Sequence, residues 1–161
     1  MPITDKFFAI NIRKYLALGD DHEAGEPALI QLLSGFSCPK NPDVEHFLKK
    51  NAIEFTKKNQ SVTYLVFSKD NGEMLGYFTL ALKPLTIRGE TVSNTTKRKL
   101  LRVSELDVKS DTYTMSAYLI AQLGKNYADG RNREIAGKEL IELAWMIIEK
   151  TPVSYTHLTL P

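Results

Sequence analysis

The chain has a single cysteine, Cys38, so no intrachain disulfide can form and a reducing compartment suits it. Histidine is scarce too. His22, His46 and His157 stand apart, with no second His, Cys or carboxylate at metal-ligand spacing, and no metal site is expected. No stretch approaches the roughly 20 apolar residues of a membrane span. The opening run MPITDKFFAINIRKYLAL carries a charge inside every apolar stretch, unlike a secretory signal. The reading is a cytoplasmic protein with no membrane partner. A net charge of +2 is too small to argue for non-specific nucleic-acid binding.

The 161 residues suit one domain, and with 43% hydrophobic and 25% charged residues the chain can bury a core rather than stay disordered. The basic residues are uneven: Lys97, Arg98 and Lys99 form one cluster, and Arg131, Arg133 and Lys138 another. A solvated helix face accounts for the first cluster more simply than an RNA-binding patch.

Taken in order, Phe7–Ile12 alternates as a first strand, and Pro27–Leu33 is a short helix with proline where its missing N–H is harmless. Pro39 and Pro42 break the chain. Asp43 then reads as the cap of a second helix from Val44 to about Lys58. Ser61–Ser68 is β-branched and aromatic, Asn71-Gly72 is a hairpin turn, and Met74–Leu82 is the returning strand, with Gly76 a candidate bulge. Lys83–Glu90 reads as a loop around Pro84. A polar helix follows Ser93 or Asn94, covering Thr96–Leu101, and Leu101–Val108 is a place for a short strand.

The stretch from Ser116 to Lys150 organises the rest. Ser116–Leu123 is an apolar run expected of a strand buried on both faces. From Glu134, apolar residues recur at three- and four-residue spacing (Ile135, Ala136, Leu140, Ile141, Leu143, Ala144, Ile147, Ile148), predicting an amphipathic helix over Glu134–Lys150. A strand, a polar loop and a helix N-terminus together offer unpaired N–H groups and a positive dipole end to an anion. The loop is not a P-loop, because Gly137-Lys138 is followed by Glu139, and Gly124 and Gly130 do not fit a dinucleotide fingerprint. A pyrophosphate seat preceded by an arginine remains, beside the plainer reading of a turn with surface arginines. The order of elements predicts an α+β fold: a mixed, mainly antiparallel sheet flanked by helices.

The run QLGKNYADGRNREIAGKELIELA and the order of elements resemble the acyl-CoA-binding core of the GCN5-related N-acetyltransferases, most of all their shorter toxin-like members. FSCPKNPDVEHFLKK and YLVFSKDNGEMLGYFTLALKPL are similar to that family as well, so the resemblance spans roughly residues 36–150. It implies an acyl-CoA N-acyltransferase-like fold and acetyl-CoA as co-substrate. In the family a strand carries the pantetheine arm, and a loop of pattern Arg/Gln-x-x-Gly-x-Gly/Ala cradles the pyrophosphate. Carried across, Leu123, Gly124 and Lys125 match the strand end. Arg131 matches the leading Arg/Gln, Ala136 the final small residue, Gly137 the next, and Leu140 with Ile141 the paired apolar residues. Arg133, Ile135 and Lys138 complete the implied cofactor-binding set. Glu134 departs from the pattern, standing where its first glycine belongs; a working seat requires that carboxylate to point away and an arginine to offset it.

The implied reaction is transfer of an acetyl group to a primary amine, with a backbone N–H of Gly124 or Lys125 polarising the thioester carbonyl. The amine of a protein, a small molecule or an aminoacyl-tRNA all fit. A homodimer or an antitoxin-like partner is implied likewise. Glu105 and Asp107 are candidate bases, although exposed carboxylates that solubilise a strand edge explain them better. The family's general-acid tyrosine lies after a further strand, and no residue takes that role here. SYTHLTLP at the C-terminus resembles an assembly scar, so the expectation is an incomplete domain over 1–153, its last strands missing, with 154–161 a non-native tail. The alternative to an enzyme is a non-catalytic ligand- or partner-binding module of the same fold.

Overall fold

The computed structural model describes residues 2–150, so the suspected tail, with His157 and Tyr155, lies outside the described residues. The elements run α1 (Ile3–Lys6), β1 (Phe7–Asn11), α2 (Arg13–Leu16), α3 (Glu26–Ser34), α4 (Pro42–Lys50), α5 (Ala52–Lys57), β2 (Val62–Ser68), β3 (Met74–Arg88), α6 (Asn94–Leu101), β4 (Glu105–Asp107), β5 (Thr112–Lys125) and α7 (Gly137–Lys150), with 3₁₀ turns at Gly89–Thr91 and Ala128–Arg133. Five strands form one sheet in the order β1-β2-β3-β5-β4. The pairs β1–β2, β2–β3 and β4–β5 are antiparallel. The N–H of Asn126 reaching the carbonyl of Leu75 (2.8 Å) and that of Gly89 reaching Asp111 (2.7 Å) set β3 and β5 antiparallel too. The α+β, mainly antiparallel expectation holds.

Two compact units divide the described residues, one of residues 2–81 and 120–149, the other chiefly of residues 82–119. In the first, a core of Ile12, Leu29, Leu33, Phe36, Leu48, Leu65 and Tyr77 gathers α3, α4, β2 and β3. Tyr77 and Phe78 are wholly buried and belong to the core. The Tyr77 hydroxyl donates to the Val44 carbonyl (2.6 Å), and burial pushes its pKa up. In the second unit Leu100, Tyr113 and Met115 pack with Leu85, Ile87, Val92 and Val103.

Local chemistry explains where the boundaries moved. The second helix starts two residues early at Pro42, with Asn41 rather than Asp43 at its cap position, and breaks at Asn51 before resuming as α5. Strand β3 runs through Pro84 to Arg88, replacing the expected loop at 83–90. The bulge falls beside Gly76: Val66 pairs with Gly76 and Phe67 with Met74, leaving Leu75 as the extra residue. Strand β5 is not covered on both faces, because Leu119 is 48% exposed and Ala121, on the same face of the pleat, is exposed as well.

Helix α7 begins at Gly137, three residues later than its apolar period suggests. Upstream, Asp129 (φ 53°) and Gly130 (φ 74°) are left-handed, which stops a helix from running back through the loop. The Glu139 carboxylate accepts the Ala136 N–H at 2.9 Å, half of a capping box. Ile135 and Leu140 are both buried, at the two positions of a hydrophobic staple.

Candidate functional site

The strand end, the loop and the start of α7 lie together in the first unit. Gly76 and Gly124 are in close backbone approach: a Cβ on Gly76 would stand 2.5 Å from the Gly124 carbonyl oxygen. A Cβ on Gly124 would overlap Val44 Cγ1 and lie 3.5 Å from Tyr77 Cε1. Glycine is therefore required at both positions by packing alone. Leu123 and Lys125 on either side are half-buried.

Asn126, directly after the strand, is wholly buried and was not singled out from sequence. Its Nδ2 donates to the Met74 carbonyl (2.9 Å), and its Oδ1 accepts the N–H groups of Ser37 and Ala128 (3.1 Å each). Tyr127 N–H then donates to the Ser37 carbonyl (2.7 Å), so the α3–α4 loop is clasped on both its polar groups. A polar residue at the start of a loop carries no sequence signal of such burial.

The loop residues divide by what already holds them. Arg131 pairs with Glu73 at 2.6 Å and with Asp129 at 3.7 Å. Glu134, the residue out of pattern, is exposed and held by Asn71, whose Nδ2 donates to its Oε1 at 3.1 Å. Arg133 and Lys138 are exposed and make no described ion pair. Ile135 is 3% exposed, so its side chain belongs to the core and only its backbone is available. Ala136 and Gly137 are half-buried, and a Cβ on Gly137 would meet nothing within 4 Å. Glu139, which caps Ala136, pairs with Lys6 at 3.8 Å. Of the paired apolar residues, Leu140 is buried and Ile141 is 51% exposed.

A cavity of about 370 Å³ lies against α4, lined by Cys38, Pro39, Pro42, Glu45, His46, Lys49 and Lys50. Glu45 accepts the Cys38 N–H (2.7 Å) and Lys49 Nζ (3.2 Å), and these bonds hold its carboxyl below the ordinary range. In the second unit, Glu105 and Asp107 are both exposed on β4, and Asp107 Oδ1 accepts the Lys109 N–H. Lys97, Arg98 and Lys99 lie on α6, which Ser93 caps by accepting the Thr96 N–H. Among the described residues, no group of three His, Cys, Asp or Glu is placed to hold a metal ion. No described helix is long and apolar enough to cross a membrane.

No protein-family model matches the sequence, and no curated protein matches it at the sequence level. Solved structures do match its fold. AtaT, in a complex with acetyl-methionyl-tRNAfMet, aligns over 92% of this chain and 72% of its own, with a TM-score of 0.56 and 13% identity. A point mutant of KacT aligns over 92% of this chain and 74% of its own, with a TM-score of 0.52 and 17% identity. The chain thus has the fold of AtaT and KacT, the acyl-CoA N-acyltransferase-like fold of the GCN5-related acetyltransferases.

Proposed function

We propose that this protein is an N-acetyltransferase that moves an acetyl group from acetyl-CoA to a primary amine. The observation that carries the reading is the seat itself. A strand end at Leu123–Lys125 is followed by a loop with Arg131 and Arg133, and then by a helix N-terminus whose Gly137 faces open space. The fit depends on Glu134, and Asn71 holds its carboxylate. Arg133 and Lys138 are free to meet a diphosphate with charge-assisted hydrogen bonds, and the first turn of α7 adds N–H groups and its dipole.

Acetyl-CoA supplies a thioester whose carbonyl carbon is open to attack. The amine nitrogen forms the new C–N bond, the C–S bond breaks, and the sulfur leaves as thiolate, taking up a proton as the amine gives one up. The chain's own contribution is to hold the diphosphate at 131–138 and to aim the N–H of Gly124 or Lys125 at the oxygen on which charge develops. A tRNA carrying an amino acid is the acceptor to test first, given the tRNA seen with AtaT.

The non-catalytic binding module is favoured by one observation: Arg131 and the Ala136 N–H are already satisfied, by Glu73 and Glu139. Calorimetric titration with acetyl-CoA, with adenosine 3′,5′-bisphosphate as control, tests the seat, and release of CoA thiol in the presence of an amine acceptor then separates the readings. Saturable binding by the wild type and its loss in Gly137→Glu support the seat, since a Cβ at 137 meets no protein atom within 4 Å. No binding by the folded wild type overturns it.

A further inference from the structure

Asn126 makes a set of bonds that neither aspartate nor alanine could make at its position. Its carboxamide offers one donor group to a carbonyl and one oxygen to two N–H groups, and all three partners are backbone atoms from different segments. Met74 stands at the bulge of β3, Ser37 in the α3–α4 loop that leads to Cys38 on the α4 cavity, and Ala128 at the first residue of the turn that carries Arg131. The carboxamide orientation follows from this network, because the reverse flip would aim NH₂ at two N–H donors and oxygen at a carbonyl. Aspartate would lose the donor and bury a charge. Alanine would remove the side-chain partner of three backbone groups from a position that is itself wholly buried.

We infer that Asn126 is a positioning residue for the acyl group: it fixes the chain just beyond Gly124 and Lys125, so that their N–H groups keep one direction before any ligand arrives. This rests on the acetyl-CoA reading above, but it assigns a role that reading does not contain. The diphosphate is held some residues away, at 131–138, so loss of Asn126 should disturb the acetyl carbonyl more than the nucleotide. Preorganised donors are effective because they need not reorganise as charge develops.

The test is isotope-edited infrared difference spectroscopy of acetyl-CoA labelled with ¹³C at the thioester carbonyl, bound to the wild type and to Asn126→Asp. In the wild type the carbonyl band should move to lower wavenumber on binding, which reports polarisation by N–H donors. In Asn126→Asp that shift should shrink, while affinity for CoA lacking the acetyl group changes by no more than about threefold. A variant that binds with the wild-type carbonyl shift overturns the positioning role. A wild type that does not bind acetyl-CoA overturns the underlying reading instead, a different and separable failure.

A second measurement needs no variant. Amide exchange at Ser37 and Ala128 in the free wild-type protein should be as slow as at the buried core amides of β2. Fast exchange that slows only when acetyl-CoA is added would mean the ligand, not Asn126, orders this segment, and would overturn the inference.

Discussion

Gly124 and Val44 are in direct contact across the first unit: the α-carbon of the strand residue has no room for a methyl group because Val44 Cγ1 fills that space. The contact is rigid, since the Val44 carbonyl is itself held by the Tyr77 hydroxyl at 2.6 Å. Gly124→Ala is therefore expected to destabilise the fold by about 1–3 kcal/mol through overpacking. Urea denaturation of the single variant and of Gly124→Ala with Val44→Ala checks it. The smaller side chain at 44 should recover part of the loss, and equal instability in both would point to another cause.

Thr63 and Thr79 face each other across β2 and β3, both fully buried, with their hydroxyls 2.8 Å apart. Each is the other's only described side-chain partner. Replacing one by valine leaves an unsatisfied buried hydroxyl and should lose about 1–3 kcal/mol, whereas replacing both should be nearly neutral. The double-mutant cycle from chemical denaturation measures this coupling directly. Additive losses would contradict it.

Glu73 competes for Arg131 with any anion that the loop binds, through the 2.6 Å pair. Glu73→Gln should then strengthen acetyl-CoA binding by about threefold, the worth of a partly exposed ion pair. Calorimetry on the two proteins at the same ionic strength reads it. Weaker binding in the variant would mean that the pair positions Arg131 for the ligand instead.

Glu45 titrates below its ordinary value of 4.5, chiefly because it accepts the Cys38 N–H and next because of Lys49. A depressed carboxyl stabilises the fold above its unfolded pKa, and that contribution is lost as pH falls through the folded value. The wild type should therefore lose stability from about pH 4.5 downward more steeply than Glu45→Gln. Thermal melts of both proteins across that acid range settle the sign. Parallel curves would show that the two hydrogen bonds contribute nothing to the linkage.

Much of this was legible in residue order. Alternation in FFAIN, the β-branched SVTYLVFS and the Asn71-Gly72 turn specify the β1–β2–β3 half of the sheet, because a strand's period and a tight turn's φ demand are local properties. Ser93 announced α6 for the same reason. The start of α7 was legible only to within a turn, since apolar periodicity continued through Ile135 and Ala136. What delays the helix is a bend over residues 134–136, between the 3₁₀ turn and Gly137, and apolar periodicity does not display a bend.

The candidate seat divides along the same line. Its order of strand, arginine-bearing loop and helix N-terminus was set by the sequence. Tertiary structure alone decided what each charge does. Arg131 is engaged because Glu73 arrives from the hairpin, Glu134 is drawn aside because Asn71 does, and Asn126 is buried because Ser37 and Met74 converge on it. These partners lie 58, 63, 89 and 52 residues away along the chain. A hydrogen bond or an ion pair depends on distance in space, and only the packed core brings those segments within reach.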